Sequence, residues 1–137
     1  MVLYAAGGQV LLLERHTPKG WWQSVTGSLE ADETPWAAAA REVAEETGLG
    51  AERLVDLGLR QRFTIAPAWR DRFAPGVTEN LEHAFALGLD VPEEVRLDPA
   101  EHVDYEWLPL AAATERATSH SNRVAIEQVS RFIAYRR

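Results

Sequence analysis

A chain of 137 residues with 46% hydrophobic residues carries enough apolar material for one core and is expected to form one domain over residues 1–137. Its 26% of charged residues and absence of low-complexity runs exclude a disordered class, its formal net charge of −7 disfavours generic nucleic-acid binding, and its lack of cysteine excludes disulfide and thiolate chemistry. No stretch is long enough to span a bilayer, so a membrane partner is not expected, and a cytoplasmic setting fits the cysteine-free composition.

The apolar start, Met1 to Leu13, has no basic leader and is broken by Gly7, Gly8 and Gln9, so it does not read as a signal peptide. It reads instead as a hairpin: a strand over Val2 to Ala5, a Gly7-Gly8 turn, and a strand over Val10 to Glu14. After the Thr17 to Gly20 loop, the aromatic and β-branched run Trp21 to Thr26 predicts a further extended segment ending at Gly27. Thr34 as N-cap, Pro35 at the first helical position and Gly48 just past the end bracket a helix over Pro35 to Thr47. Leu54 to Thr64 and Glu82 to Leu89 predict strands, separated by a Pro-, Gly- and Asn-rich loop from Pro67 to Asn80. A loop of that length is either a substrate loop or a bland excursion. Val103 to Leu108 predicts a late strand, and Ala125, Ile126, Val129, Phe132 and Ile133 recur at helical spacing, so a terminal amphipathic helix begins near Asn122. Strands interspersed with two helices predict a mixed α/β (α+β) sandwich.

Within Pro35 to Thr47, Glu42, Glu45 and Glu46 stand three and four residues apart and share one side of the helix. They repel one another, and two of them lie in the last turn, where the helix dipole disfavours negative charge. Trp36, Ala39, Ala40 and Val43 form the opposite, core-facing side, which directs the carboxylates toward solvent or a cleft. The cluster is therefore either a solvated acidic face or a site for a hard cation. Oxygen-only ligands without His or Cys select Mg2+, with Mn2+ as a substitute, or Ca2+. An acidic chain that handles a phosphate compound needs such a cation.

The surrounding pattern favours the cation site. Gly27, then Glu33 after five residues, then after seven more Arg41-Glu42-Val43-Ala44-Glu45-Glu46-Thr47-Gly48-Leu49, resembles the signature box of the Nudix hydrolase family at every defining position. Gly27 is expected to permit a tight turn, and Glu33 lies where it can pair with Arg41 and brace the loop against the helix. The resemblance implies the Nudix fold, a mixed sheet flanked by the box helix and a C-terminal helix. It also implies that the Glu33–Arg41 pairing is structural, and that Glu42, Glu45 and Glu46 bind metal or help activate water.

Outside the box, Trp22 to Ser28, Arg72 to Thr78, and Ser119 to Arg123 with Ala125 to Gln128 resemble the dihydroneopterin triphosphate pyrophosphohydrolases, across nearly the whole chain. What that implies is cleavage of a small-molecule triphosphate, dihydroneopterin triphosphate, to the monophosphate and pyrophosphate in folate biosynthesis. Nucleoside triphosphates, dATP or an oxidised nucleotide are the rival substrates, and a non-catalytic nucleotide-sensing module is the rival outside enzymes. Residue by residue, the resemblance implies Arg15 as a phosphate contact, Thr26 beside the ligand, the Phe63 to Ala66 segment and Ser119 lining the substrate pocket, and Glu101 as a metal ligand additional to Glu42 and Glu46. Glu45 is either a ligand or the general base, because repulsion and metal binding move carboxylate pKa values in opposite directions. Arg15 is alternatively a surface charge, Phe63 a core residue, and Glu101 part of a solvated acidic stretch with Glu93, Glu94 and Asp98. The basic lead-in residue that relatives place near the substrate phosphates has no counterpart ahead of the first strand. His102 and His120 flank implied positions and receive no role. Oligomeric state is not readable from the residues.

Overall fold

The computed structural model describes residues 1–136; Arg137, the last residue of the expected domain, lies outside them. Strands β1 (Val2–Ala5) and β2 (Gln9–Arg15) form the opening hairpin, with Gly8 at φ 94° supplying the left-handed conformation its turn requires. β3 (Trp22–Gln23) follows, then α1 (Pro35–Thr47), β4 (Val55–Thr64), β5 (Glu79–Leu89), β6 (His102–Pro109), α2 (Leu110–Arg116) and α3 (His120–Arg136). β2 pairs antiparallel with β1, β3 and β6; β1 runs parallel to β5, which pairs antiparallel with β4.

Alternation along the strands gives the sheet two buried faces. Leu11 and Leu13 of β2 join Leu3, Phe85 and Leu87 against Ala39 and Val43 of α1, while Val10 and Leu12 join Val2, Ala84 and Ala86 against Ala113, Ala125, Ile126 and Val129 of α2 and α3. The result is a mixed sheet between α1 on one face and α2 with α3 on the other, which is the expected sandwich.

Several expectations shift. The extended run Trp21 to Thr26 supplies only a two-residue strand, because the backbone N–H of Ser24 leaves the sheet to donate to Asn122 Oδ1 at 2.8 Å. Trp36 is not core: it is 44% exposed, and its indole Nε1 donates to the carbonyl of Leu54 at 3.0 Å, tying α1 to the approach of β4. The Pro67 to Asn80 loop contains a 3-10 turn over Pro67–Arg72, and β5 begins earlier than expected, at Glu79. Helix α2 had no sequence signal; it is seven residues long, and Pro109 at its N-cap gives it no side-chain hydrogen bond.

The caps of α1 follow the sequence. Thr34 accepts from the backbone N–H of Ala37 at 3.1 Å, and Gly48, at φ 74°, closes the helix through its N–H to the carbonyl of Ala44. Thr34→Ala is expected to lower stability by about 1 kcal/mol in urea denaturation with an unchanged denaturant slope; a change near zero would show that α1 does not depend on its cap.

Candidate metal and phosphate site

Arg41 organises the end of α1 that faces the loop from Gly27 to Glu33. Its Nε donates to Glu33 Oε2 at 2.7 Å and its Nη2 to Glu33 Oε1 at 2.9 Å, a two-pronged ion pair, while Nη2 also reaches the carbonyl of Ser28 at 3.0 Å. Its Nη1 donates to Glu42 Oε1 at 2.7 Å and to Glu45 Oε2 at 3.3 Å. One guanidinium thus holds the loop closed and fixes the carboxylate of Glu42. The Arg41 hydrogen bonds, with the backbone N–H of Glu30 at 2.9 Å, hold the Glu33 carboxyl down to about 2.

The three helix glutamates, expected to face solvent or a cleft, do not share one environment. Glu45 is 56% exposed, Glu42 is largely covered, and Glu46 is only 5% exposed. Burial pushes the Glu46 carboxyl well above the usual carboxylate range, and the adjacent Glu42 carboxyl and the charge of Glu101 push it the same way. Its Oε2 is buried with no hydrogen-bond partner. A buried carboxylate oxygen without a donor, next to a second carboxylate, is an arrangement that a hard cation satisfies, so the residues fit a divalent metal. Among the described residues, no three acidic or imidazole groups are gathered at one point in ligand geometry. Glu101 is exposed just before β6, where its carbonyl accepts from the backbone N–H of His16 at 2.8 Å.

Gly27 is not explained by a turn, since its φ lies outside the left-handed region. A Cβ there would stand 2.2 Å from Cγ and Cδ of Glu42. Glycine is required because the Glu42 side chain passes directly over it.

The remaining expected residues lie at different depths. Arg15 is buried rather than a surface charge: its Nε donates to the carbonyl of Thr17 at 2.8 Å, and its guanidinium lies 5.2 Å from the ring centre of Trp69, which packs at 5.1 Å against Trp21. The 3-10 turn of the long loop is thereby docked on the end of β2. Thr26 is exposed, with its Oγ1 accepting from Gln23 Nε2 at 3.2 Å. Phe63 is half-buried on β4 opposite Asn80. Ser119 Oγ accepts from the backbone N–H of Asn122 at 3.2 Å, at the start of α3.

Two buried residues that sequence reasoning left without a role join the site. His102, 1% exposed, places its Nδ1 3.6 Å from Glu46 Oε1, and Gln23 Nε2 lies 3.4 Å from His102 Nε2. Burial, reinforced by the charge of Arg15, pushes the His102 imidazole below its ordinary pKa. Only the tertiary fold reveals them, because β3, β6 and α1 meet here from distant parts of the chain.

Two consequences are measurable. Gly27→Ala should displace Glu42 and lower activity by at least about tenfold while leaving the melting temperature nearly unchanged, since the obstructed neighbour is a flexible side chain; wild-type activity in that variant would exclude the close approach as functional. Glu33 has a folded-state pKa below its ordinary value, so its stabilisation is complete above about 4.5 and is lost as pH falls toward 2. The stability gap between wild type and Glu33→Gln should therefore be present at neutral pH and narrow through that acid window; a gap independent of pH would contradict the ion pair.

The comparisons with known proteins agree with this fold. A family model described as the NUDIX domain matches residues 1–129. The chain is 44% identical over 133 residues to the dihydroneopterin triphosphate diphosphatase of Escherichia coli, covering 93% of this chain and 87% of that protein. It is 36% identical over 124 residues to the protein of the same name from Haemophilus influenzae, covering 88% and 77%. The solved structure of the E. coli dihydroneopterin triphosphate pyrophosphohydrolase is similar with a TM-score of 0.87 and 42% identity, over 93% of this chain and 89% of that one. A family match over nearly the whole length, together with relatives this similar, establishes that the chain belongs to the Nudix family of hydrolases.

Proposed function

We propose that this enzyme cleaves dihydroneopterin triphosphate to dihydroneopterin monophosphate and pyrophosphate, in a Mg2+-dependent reaction of folate biosynthesis in the cytoplasm, with one domain spanning the chain. The observation that carries the substrate is the 44% identity, over 93% of the chain, to a relative named for that reaction. Support for the chemistry comes from the carboxylate pair at the end of α1.

In this reading Glu42 and Glu46 hold the cation, with Glu101 as a further ligand at the rim; Mn2+ has the same oxygen preference and is the natural substitute. A divalent cation supplies positive charge against the phosphoanhydride and lowers the pKa of an attacking water. Arg41 keeps the Glu42 carboxylate oriented, and the Glu33 carboxylate keeps Arg41 in place, so both act by positioning. Glu45, the exposed member of the trio, is free to accept the proton of the attacking water or to serve as a ligand. The same reading assigns Arg15 to a phosphate and Thr26, Phe63 and Ser119 to the pterin, as the resemblance implies.

Pyrophosphate release is the direct test, with dihydroneopterin triphosphate compared against dATP and the other nucleoside triphosphates. The expected result is a higher kcat/KM for the pterin, abolished by EDTA and lowered at least about a hundredfold by Glu46→Gln. A nucleotide preferred over the pterin would overturn the substrate, and full turnover in EDTA would overturn the metal site.

A further inference from the structure

We infer that His102 is a positioning residue for Glu46: its neutral ring directs an Nδ1–H at Glu46 Oε1 and so fixes the other carboxylate oxygen toward the cation. The inference rests on the reading above, in which Glu46 is a metal ligand.

Gln23 is buried, and its side-chain amide nitrogen carries two hydrogens and no acceptor capacity. That nitrogen lies 3.2 Å from Thr26 Oγ1 and 3.4 Å from His102 Nε2. One hydrogen serves the hydroxyl and the other faces the ring, so Nε2 is the acceptor and the single proton of a neutral imidazole sits on Nδ1. Nδ1 is buried, has no hydrogen-bond partner, and faces Glu46 Oε1 at 3.6 Å. Glu46 Oε2 is the other buried, unpartnered atom of this pair. The two oxygens of Glu46 therefore have different neighbours: one faces an N–H, and the other has no protein donor and is left for a ligand. Side chains behind a metal ligand commonly set its orientation in this way, and their removal typically weakens metal binding by about ten- to a hundredfold. The chain of contacts Thr26–Gln23–His102–Glu46 also ties β3 and β6 to the last turn of α1, so a ligand at Thr26 and a cation at Glu46 share one support.

The test compares His102→Asn, whose side-chain amide N–H falls near the position of Nδ1, with His102→Gln, whose amide reaches toward the position of Nε2, and with His102→Ala. Mn2+ affinity is read by electron paramagnetic resonance without substrate, folding by thermal melts in EDTA, and turnover as a function of Mg2+. The expected result is Mn2+ affinity within about threefold of wild type for Asn and weakened about tenfold or more for Gln and Ala. Turnover lost at low Mg2+ should be restored at high Mg2+, with kcat little changed. Equal affinity in all three folded variants would overturn the inference, as would equal weakening in Asn and Gln, which marks His102 as packing. Wild-type protein that binds no Mn2+ would instead overturn the reading of Glu46 as a ligand, and the inference with it.

Discussion

The contact on which the site depends is the two-pronged pairing of Arg41 with Glu33. It is satisfied only when the loop after Gly27 folds back onto α1, and the remaining nitrogen of the same guanidinium then reaches Glu42 and Glu45. A single cation thus performs two tasks that oppose each other energetically. It closes the loop, and it brings carboxylates together that would separate if left alone. Arg41 neutralises only part of that charge, however, because Glu46 points away from it into the protein.

The position of Glu46 follows from the packing of α1. Val43 and Ala39 press into the α1-facing side of the sheet, so the turn that carries Glu46 is drawn down with them, and its carboxyl becomes nearly as inaccessible as the core residues around it. A buried carboxylate beside another carboxylate is unfavourable unless something positive joins them. The fold accepts that penalty at the end of a helix whose dipole makes it worse. Such a local conflict, in a chain whose other features agree with one another, is what functional or strained sites show, and it supports the proposed cation site.

Much of this was legible before the fold. Helix α1 could be bounded to the residue because Thr34, Pro35 and Gly48 each act locally, and the Glu33–Arg41 pairing was expected from the places of both residues in the Nudix box. What escaped were features set by other parts of the chain. The aromatic and β-branched content that promised an extended segment from Trp21 to Thr26 could not foresee that Asn122, far along the sequence, would take the backbone N–H of Ser24. Trp36 matched the apolar side of α1 by spacing, yet its indole N–H needed the carbonyl of Leu54 and was drawn to the surface. The same limit explains Gly27, whose role is to clear the path of Glu42, and Glu46, whose burial depends on how deep α1 sits. His102 and Gln23 received no role from the sequence, because both acquire one only where β3 and β6 flank β2. Helix α2 is too short, and too poor in capping side chains, to announce itself.

In the proposed reading the unpaired oxygen of Glu46 and the neighbouring carboxylate of Glu42 form a cation site. Crystals grown with Mn2+ and measured near the manganese absorption edge test it most directly. An anomalous peak within coordinating distance of Glu42 and Glu46 is the expected result. A peak located instead among the exposed acids of the Glu93 to Asp98 stretch, or none at all under conditions where the enzyme turns over, would contradict it.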